Sequence, residues 1–487
     1  MEILVESAQA IARFLREQGY TEERLSELGL AELPWNSLAR QSVSAWLVMC
    51  DPRLELLIRA FYMGEAVQTS QAEKLFSKEI LRDLLESELL AHDGERLRPA
   101  CMLTHFGELI IACDSRRRAE TGAAADLVLG VNPTTRLLAR CSILRPGSKV
   151  LDLGTGCGTL ALVAAPFAAS VVGTDVNRRA LNFAGFNAAL NGLSNISFLY
   201  GDRFEPVAGQ RYDLIVSNPP FFLAPVSGLL CCDNSLELDG FVESLARGAP
   251  QFLEEGGVFQ MLCEWVEFEA QSWENRLRPW FERSNCDVHI WKGYEISPVE
   301  YARKRALEQG QLYRETTGAS FAERLSYLKR RDVKGIFGGL ITVRRRSAGN
   351  WFCVEEMQKR PERPIGDALL ERFSTLDILE SNDEQILLAA HPRLAAEVRL
   401  VSESVQRNCA WGVERCYLER SDDLPAKLGL DAVVAELTAH FDGTQTLEAL
   451  LKKLALEQRA PLERVIPEGL RVIKRLGAAG LVRLESR

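Results

Sequence analysis

The chain has 487 residues, too many for one ordinary domain, and 47% hydrophobic with 26% charged residues is the composition of a soluble globular protein. Its net charge of −9 argues against general coating of nucleic acid, and no apolar stretch approaches the roughly 20 residues that cross a bilayer. The twelve cysteines and five histidines are scattered without a CxxC pair. We therefore expect a cytoplasmic protein of several domains, with reduced thiols, no metal site and no membrane association.

The first 125 residues are predicted to be mainly helical. Apolar residues recur at helical spacing from Ile3 to Leu15, and Ser70-Gln-Ala-Glu73 predicts a capping box that opens a helix running on through LFSKEILRDLLESELLA. Two short strands are predicted around Thr104–Gly107. Helices followed by a small hairpin indicate a helical, winged-helix-like N-terminal domain over residues 1–125, used for packing or for docking a partner.

Between Val128 and about Arg346, strands alternate with helices. This alternation predicts a parallel α/β sheet of the Rossmann-like type, in a domain over residues 126–350. A helical, charged insertion separates the last two strands. The candidate strands are Lys149–Leu153, Ser170–Thr174, Ile196–Tyr200, Leu214–Ser217, Val258–Leu262, Val288–Trp291 and Ile336–Arg344.

A third domain is predicted over residues 351–487. It opens with a helical region that mixes acids and bases. The closing stretch, TLEALLKKLALEQRAPLERVIPEGLRVIKRLGAAGLVRLES, predicts two amphipathic helices and a terminal strand, a second winged-helix-like arrangement.

The stretch VLDLGTGCGT, residues 150–159, predicts a buried strand that runs into Gly154, Gly156 and Gly158. Glycines allow a tight turn and close approach of a ligand to the backbone, and the following helix offers free N–H groups. The spacing is GxGxG rather than the dinucleotide GxGxxG, because residue 159 is a threonine. Taken alone, such a loop is equally well explained as a tight strand-to-helix turn.

Acidic residues follow the glycine strand and its two successors. Asp175 lies 23 residues after Asp152, a spacing that suits a carboxylate holding a ribose diol. Asp202 follows the third strand and can meet the edge of an adenine, with Phe204 nearby to cover the ring. Three carboxylates would repel a pyrophosphate and attract a sulfonium cation that carries an ammonium group.

The motif SNPPFF begins at Ser217, directly after an apolar run. Proline cannot donate to a strand ladder, so a simple strand terminator is one explanation of Pro219 and Pro220. Because the motif follows the cofactor motifs in the chain, a second explanation is favoured, in which it forms part of an active site. The Asn218 side-chain oxygen and the Pro219 carbonyl can each accept one N–H of a planar NH₂ group, leaving its lone pair to face a methyl donor. Phe221 offers a ring for stacking.

The stretch from Val150 to Phe222 resembles the class I S-adenosylmethionine-dependent methyltransferases of the branch with an NPPY or NPPF motif. The resemblance implies a seven-stranded sheet, S-adenosyl-L-methionine as cofactor, and catalytic roles for Asn218, Pro219, Pro220 and Phe221. Asn132-Pro-Thr-Thr135 is more loosely similar to the segment before the sheet, whose threonine approaches the cofactor. The implied cofactor-binding residues are Asp152, Gly154, Thr155, Gly156, Gly158, Asp175, Asp202, Phe204 and Asn218.

Within this branch, GDRFEPVAGQRYDLIVSNPPFF most resembles the glutamine methyltransferases of release factors and ribosomal proteins, and nearly as closely the amino-methyltransferases of rRNA and tRNA bases. Phe221 stands where the former usually have tyrosine, and the extension after residue 350 is not theirs. We therefore predict an N-methyltransferase acting on a planar amide or amino nitrogen of a protein or an RNA. The alternatives are a winged-helix regulator that binds adenosylmethionine without turnover, and a nicotinamide dehydrogenase.

Segment 301–346 carries twelve basic and four acidic side chains. It is predicted to be either a solvated helical face or a docking surface for RNA or an acidic protein. The loop after the NPPF motif is predicted to form the rim of the substrate entrance, with Cys231 and Cys232 as packing residues. The sequence leaves the oligomeric state open.

Overall fold

The structure is a computed structural model that describes residues 5–30, 47, 50–115, 125–223, 236–313, 317–347, 349–381, 383–407 and 409–486. The chain divides into two compact units, residues 1–139 with 144–345, and residues 140–143 with 346–487. The N-terminal region and the central sheet share the first unit, and the boundaries of the three predicted domains stay predictions. The predicted entrance loop with Cys231 and Cys232 lies outside the described residues, as do residues 314–316 of the basic segment.

Helices and two small sheets precede the central sheet. Strands β1, β2 and β3 form a three-stranded sheet in the order β1-β3-β2, and β4 and β5 form a hairpin; their bounds are Val67–Gln68, Leu90–Asp93, Arg96–Pro99, Cys101–Phe106 and Leu109–Asp114. The helices are α1 (Val5–Glu17), α2 (Glu22–Glu27), α3 (Pro52–Leu57, continued by a π-helical turn over Ile58–Tyr62), α4 (Thr69–Leu75) and α5 (Lys78–Glu86).

The predicted capping box at Ser70–Glu73 is wrong. Helix α4 begins one residue earlier, at Thr69, and no side chain caps it. The chain leaves the helical conformation at Phe76, and a hydroxyl cap starts α5: Ser77 accepts the N–H of Ile80 at 3.2 Å. The predicted single helix is therefore two helices. The strands predicted around Thr104–Gly107 are confirmed as β4 and β5.

The central sheet contains both parallel and antiparallel strands. Its strands in the first unit lie in the segments that were predicted to form strands. Their bounds are β6 (Ser148–Leu153), β7 (Ala168–Asp175), β8 (Ile196–Tyr200), β9 (Tyr212–Ser217), β10 (Leu253–Phe268), β11 (Cys286–Ile296) and β12 (Val333–Arg345). They lie in the order β11-β12-β10-β9-β6-β7-β8. Strands β6 to β10 pair in parallel, and β12 is antiparallel to both β10 and β11. The predicted number of seven strands stays a prediction. A strand of the second unit, Phe352–Glu356, lies in a region that was predicted to be helical.

Helices accompany this sheet between its strands. The middle strands β6 and β9 are almost entirely buried, as expected for parallel strands covered on both faces. The helices are α6 (Pro133–Cys141), α7 (Thr159–Ala164), α8 (Arg178–Leu190), α9 (Gly240–Gly248), α10 (Trp273–Phe281), α11 (Pro298–Tyr313) and α12 (Thr317–Lys329).

Helix α8 joins the N-terminal region to the sheet. The side-chain amide of Asn187 accepts the N–H of Ala112 at 2.7 Å and donates to its carbonyl at 2.9 Å, and Asn191 makes the same exchange with Ile110 at 3.0 and 2.7 Å. Two side chains thus satisfy backbone groups along β5 as a neighbouring strand would. Asn187 also donates to the carbonyl of Cys157 at 2.8 Å, which ties this interface to the glycine loop.

The second unit contains helices and small sheets of its own. The two helices and the terminal strand predicted at the end of the chain are confirmed as Leu447–Glu457, Leu462–Ala478 and Val482–Glu485. The region before them was predicted to be helical but is only partly so. Three of its strands form a sheet, in which they lie in the same order as in the sequence. The other elements are β13 (Phe352–Glu356), α13 (Gly366–Leu379), α14 (Glu384–Ala389), β14 (His391–Leu394), β15 (Val398–Arg407), β16 (Ala410–Arg420), β17 (Ala426–Leu430) and α15 (Ala432–Thr438).

Among the described residues, no helix combines the length and the apolar character that a membrane span requires.

Candidate active site

The predicted site residues leave the sheet at one edge. Strands β7, β6 and β9 are parallel neighbours, and Leu153 is in register with both Thr174 and Ser217. The residues that follow these strand ends are therefore brought together: the glycine loop after β6, Asp175 at the end of β7, and the NPPF motif after β9. This carboxyl edge is where open α/β sheets bind ligands.

The glycine loop has a left-handed backbone at Gly154, Gly156 and Gly158, with φ angles of 75°, 56° and 88°. A Cβ at Gly158 would lie 2.9 Å from Leu162 Cδ1 and 3.0 Å from Ala184 Cβ, so both the angle and the packing require glycine there. At Gly154 and Gly156 a Cβ would meet nothing within 4 Å. The loop therefore leaves open space beside these two residues.

Asp152 is buried beneath the loop. Its Oδ2 accepts the hydroxyl of Thr155 at 2.6 Å and the N–H of Ala161 at 3.0 Å. Its Oδ1 is buried with no hydrogen-bond partner in the part of the chain that the structure describes. Burial raises the pKa of Asp152 to about 7, against the opposing effect of the two donors. One oxygen thus remains available to accept a hydrogen bond from a ligand.

Asp175 connects the second strand to the loop. Its Oδ2 accepts the N–H of Gly156 at 2.8 Å, and its Oδ1 accepts the N–H of Asn177 at the same distance. Burial raises the pKa of this carboxyl, and the backbone donors partly offset that rise. Each carboxylate oxygen can accept a further hydrogen bond, so the pair can still take the two hydroxyls of a ribose.

Asp202 and Phe204 follow β8 in a less enclosed position. Asp202 is about half exposed and forms an ion pair with the neighbouring Arg203 at 3.1 Å. The Phe204 ring is buried and stacks in parallel on Phe252, with ring centroids 4.5 Å apart. One face of Phe204 is therefore already covered, and the adenine contacts predicted for both residues stay predictions.

Asn218 lies at the centre of the edge. Its side-chain nitrogen donates to the hydroxyls of Thr134 and Thr135, each at 3.3 Å. Its Oδ1 is buried and has no partner among the described residues. The amide is thus held by its nitrogen, and its acceptor oxygen is unused. Phe221 follows after the two prolines, with its ring 5.9 Å from that of Phe222 in an edge-on contact.

A buried ion pair, Glu264 with Arg305, stands beside the motif, and the sequence did not reveal it. Glu264 lies on β10 and Arg305 on α11; Tyr294 also donates its hydroxyl to Glu264. The Arg305 guanidinium covers the Phe222 ring at 4.0 Å from its centroid. At Gly338, on the neighbouring strand β12, a Cβ would collide with the Tyr294 ring. The inserted helix therefore contacts the residues next to NPPF.

We expect Arg305→Ala to lower the free energy of unfolding by about 3–5 kcal/mol, because it leaves the Glu264 carboxylate buried without its cation. Urea unfolding measures this loss. Arg303→Ala is the matched control: Arg303 is exposed on the same helix, and its removal should change stability by less than about 0.5 kcal/mol. Equal losses in the two variants would contradict the role assigned to the pair.

The basic segment 301–346 is not a continuous exposed surface. Arg305, Arg324 and Arg344 are buried, and Arg344 pairs with the buried Asp287. Lys334 forms an ion pair with Glu267 at 2.7 Å. Part of the positive charge counted in the sequence is thus buried or paired within the chain, while Arg303, Lys304, Lys329 and Arg330 are exposed.

Comparison with known proteins places this site in a family. A family model described as the methyltransferase small domain matches residues 129–286. The chain is 36% identical over 137 residues to a release factor glutamine methyltransferase of Xylella fastidiosa strain 9a5c, an alignment that covers 25% of this chain and 49% of that protein. It is 35% identical over 140 residues to a ribosomal protein uL3 glutamine methyltransferase of Xanthomonas campestris pv. campestris, covering 26% of this chain and 44% of that protein.

A third relative is covered more fully. The chain is 35% identical over 143 residues to a putative protein N5-glutamine methyltransferase of Methanocaldococcus jannaschii, covering 27% of this chain and 68% of that protein. For the first two relatives, the chain spans about half of their length or less.

The large mixed α/β sheet with its glycine loop defines a class I methyltransferase fold. The chain belongs to the S-adenosylmethionine-dependent methyltransferases of the methyltransferase small domain family. The predictions of an S-adenosylmethionine-dependent methyltransferase and of S-adenosyl-L-methionine as its cofactor are confirmed.

Proposed function

We propose that the protein transfers a methyl group from S-adenosylmethionine to the side-chain amide nitrogen of a glutamine in a protein substrate. The observation that carries this proposal is the Asn218 side chain, whose amide oxygen is buried and unpartnered within the described residues while its nitrogen is held by two threonines. A group that must accept an N–H from a substrate needs this arrangement. A protein that only bound the cofactor would have no use for the free acceptor.

The residues present fit S-adenosylmethionine. The open space beside Gly154 and Gly156 admits a ligand to the backbone, and Asp152 has an unpartnered acceptor oxygen for a cationic group. Asp175 retains acceptor capacity for a diol. We assign the cofactor-binding roles to Asp152, Asp175 and the glycine loop, with Thr155 orienting Asp152 through its hydroxyl. When bound, the cofactor supplies an electrophilic methyl group on a sulfonium cation.

The protein's own contribution to the chemistry is orientation. A glutamine amide nitrogen is a poor nucleophile because its lone pair is delocalised into the carbonyl. Accepting one N–H at Asn218 Oδ1 and another at the Pro219 carbonyl would fix the plane of the NH₂ group and leave its lone pair free to face the donor. No strong base is needed, since the alkylated nitrogen is acidic and loses its proton readily. Pro220 stiffens the segment and Phe221 provides a ring beside the planar group.

The relatives favour a protein substrate over an RNA base. Two are named for glutamines in release factors or in ribosomal protein uL3, and the third for protein N5-glutamine. The burial of Arg305, Arg324 and Arg344 weakens the argument that the basic segment docks RNA. Incubation with labelled S-adenosylmethionine and either release factors and ribosomal proteins or tRNA and rRNA tests the choice. We expect label on a glutamine; label confined to RNA would overturn the substrate assignment.

We expect the affinity for S-adenosylmethionine to rise with pH through about 7, the pKa to which burial raises Asp152. A cationic ligand favours the ionised carboxylate, so binding should release a proton below this pH. The stability of the ligand-free protein changes with pH in the opposite direction and falls as pH rises. The folded state keeps a proton that the unfolded chain releases near 3.8, so this group's contribution to stability is lost as pH rises through about 7. Calorimetry in buffers of different ionisation enthalpy measures the proton release.

Asp152→Asn is expected to bind more weakly and without this pH dependence, because an amide does not titrate. Asp213→Asn is the control, since Asp213 accepts the N–H of Lys149 at the opposite edge of the sheet. A pH profile that survives in Asp152→Asn would show that another group titrates.

For the ends of the chain, we propose winged-helix-like modules that dock the substrate or a partner. At the N-terminal end, the support is the three-stranded sheet β1-β3-β2, built around α4 and α5. At the C-terminal end, it is the pair of helices before the last strand, which pairs with His391–Leu394.

A further inference from the structure

The segment Asn132-Pro-Thr-Thr135, at the start of α6, contacts the Asn218 amide through a defined set of hydrogen bonds. The Asn132 side-chain oxygen accepts the N–H of Thr135 at 2.8 Å, which is an N-terminal helix cap. The same oxygen accepts the hydroxyl of Thr134 at 2.6 Å and that of Thr135 at 3.1 Å. Both hydroxyls in turn lie 3.3 Å from the Asn218 side-chain nitrogen.

The donors and acceptors of this network favour one orientation of the Asn218 amide. A hydroxyl has a single hydrogen, and each threonine gives its hydrogen to Asn132. Toward Asn218, both threonines can therefore only accept. The side of the amide that faces them must be the NH₂ group, and Oδ1 must point away from them, where it is buried without a partner in the described part of the chain.

The flipped amide would be unfavourable on both sides. Its oxygen would face two hydroxyl oxygens with no hydrogen left to donate, and two hydrogen bonds would be lost. Its NH₂ group would face the substrate position and could not accept an N–H there. The orientation that the threonines select is thus the one that the proposed reaction requires.

We propose that Asn132, Thr134 and Thr135 are positioning residues that hold the Asn218 amide with its oxygen toward the substrate nitrogen. This inference rests on the proposed function, because Asn218 is the group assumed to touch the substrate. It extends that function by assigning the helix cap of α6 a role in the geometry of methyl transfer. Asn132 acts on Asn218 only through the two hydroxyls.

The test is a pair of isosteric changes, Thr134→Val and Thr135→Val, made singly and together. Valine keeps the volume and removes the acceptor, so in the double variant neither orientation of the Asn218 amide is selected. We expect kcat to fall at least tenfold in the double variant and to recover in Thr134→Ser/Thr135→Ser, which restores both hydroxyls. Thr104→Val is the control: it removes a hydroxyl that donates to Ile111 O at 3.2 Å within the β4–β5 hairpin, and kcat should not change.

A second readout does not depend on activity. In protein labelled with ¹⁵N on asparagine, the side-chain NH₂ signal of Asn218 is identified by its absence in Asn218→Ala. We expect this signal to shift in the valine variants, including the single change at the half-exposed Thr134, and to return in the serine variant.

An unshifted signal would overturn the inference, as would a double valine variant with wild-type kcat, or a double serine variant as slow as the valine one. If the wild-type protein methylates no substrate, the proposed function fails, and the NMR signal alone still decides whether the threonines orient the amide.

Discussion

Asn218→Ala is expected to slow methyl transfer by a factor of about 10²–10³ while leaving S-adenosylmethionine binding largely intact. The change removes a side-chain oxygen that is buried at the site and has no partner in the described structure. Loss of a preorganised hydrogen-bonding group of this kind costs a factor of about 10²–10³ in kcat, or about 3–4 kcal/mol in the transition state. Single-turnover kinetics with labelled cofactor, together with calorimetry of cofactor binding, measure the two effects separately.

Asn195→Ala is the matched control for this variant. Asn195 is also half-buried and donates to the carbonyls of Ala165 and Ala168, near the start of β7 and away from the site. We expect it to reduce stability but to leave the rate of the folded protein unchanged. Asn218→Asp should be partly active at most, because a charged acceptor alters the balance of hydrogen bonds around a neutral NH₂ group. Near wild-type turnover by Asn218→Ala would contradict the orientation mechanism.

Asp175→Ala is expected to weaken the binding of S-adenosylmethionine by about 10²-fold or more. The carboxylate accepts the N–H groups of Gly156 and Asn177, so its removal both loosens the glycine loop and deletes the proposed ribose acceptor. Hydrogen bonds to a charged group contribute about 1.5–3 kcal/mol each, and a tenfold loss of affinity corresponds to about 1.4 kcal/mol. Calorimetric titration gives the dissociation constant directly.

The control for Asp175→Ala is Asp213→Ala. This carboxylate also accepts a backbone N–H, that of Lys149 at 2.8 Å, but at the opposite end of the strands. Its removal should leave cofactor affinity unchanged. If both variants bound the cofactor as tightly as the wild type, Asp175 would have to be dropped from the cofactor site.

The sheet and the order of its motifs could be predicted because they depend on local signals. Parallel strands covered on both faces are apolar runs, and glycine, acid and proline motifs at their carboxyl ends mark where a ligand binds. Once β6, β7 and β9 are neighbours, Gly154, Asp175 and Asn218 must meet at one edge. Hydrophobic periodicity alone does not show which side of this sheet edge is covered by other parts of the chain.

The rest of the site depends on contacts between residues far apart in sequence. Arg305 appeared in the sequence as one of many basic residues, and only the fold brings it to Glu264 and Phe222. The hydroxyls of Thr134 and Thr135 precede Asn218 by more than 80 residues, so no spacing rule connects them. The sheet of β15 to β17 was missed for another reason: its strands are largely exposed and rich in charged residues, which removes the apolar alternation that signals a strand.

The atom that receives the methyl group is the most direct test of the proposed reaction. The purified protein is incubated with isotopically labelled S-adenosylmethionine and a mixture of release factors and ribosomal proteins, and the digested products are mapped by mass spectrometry. We expect one labelled methyl group on the side-chain nitrogen of a glutamine, abundant with the wild-type protein and strongly reduced with Asn218→Ala. Label on an oxygen, sulfur or carbon atom, or equal labelling by the two proteins, would contradict it.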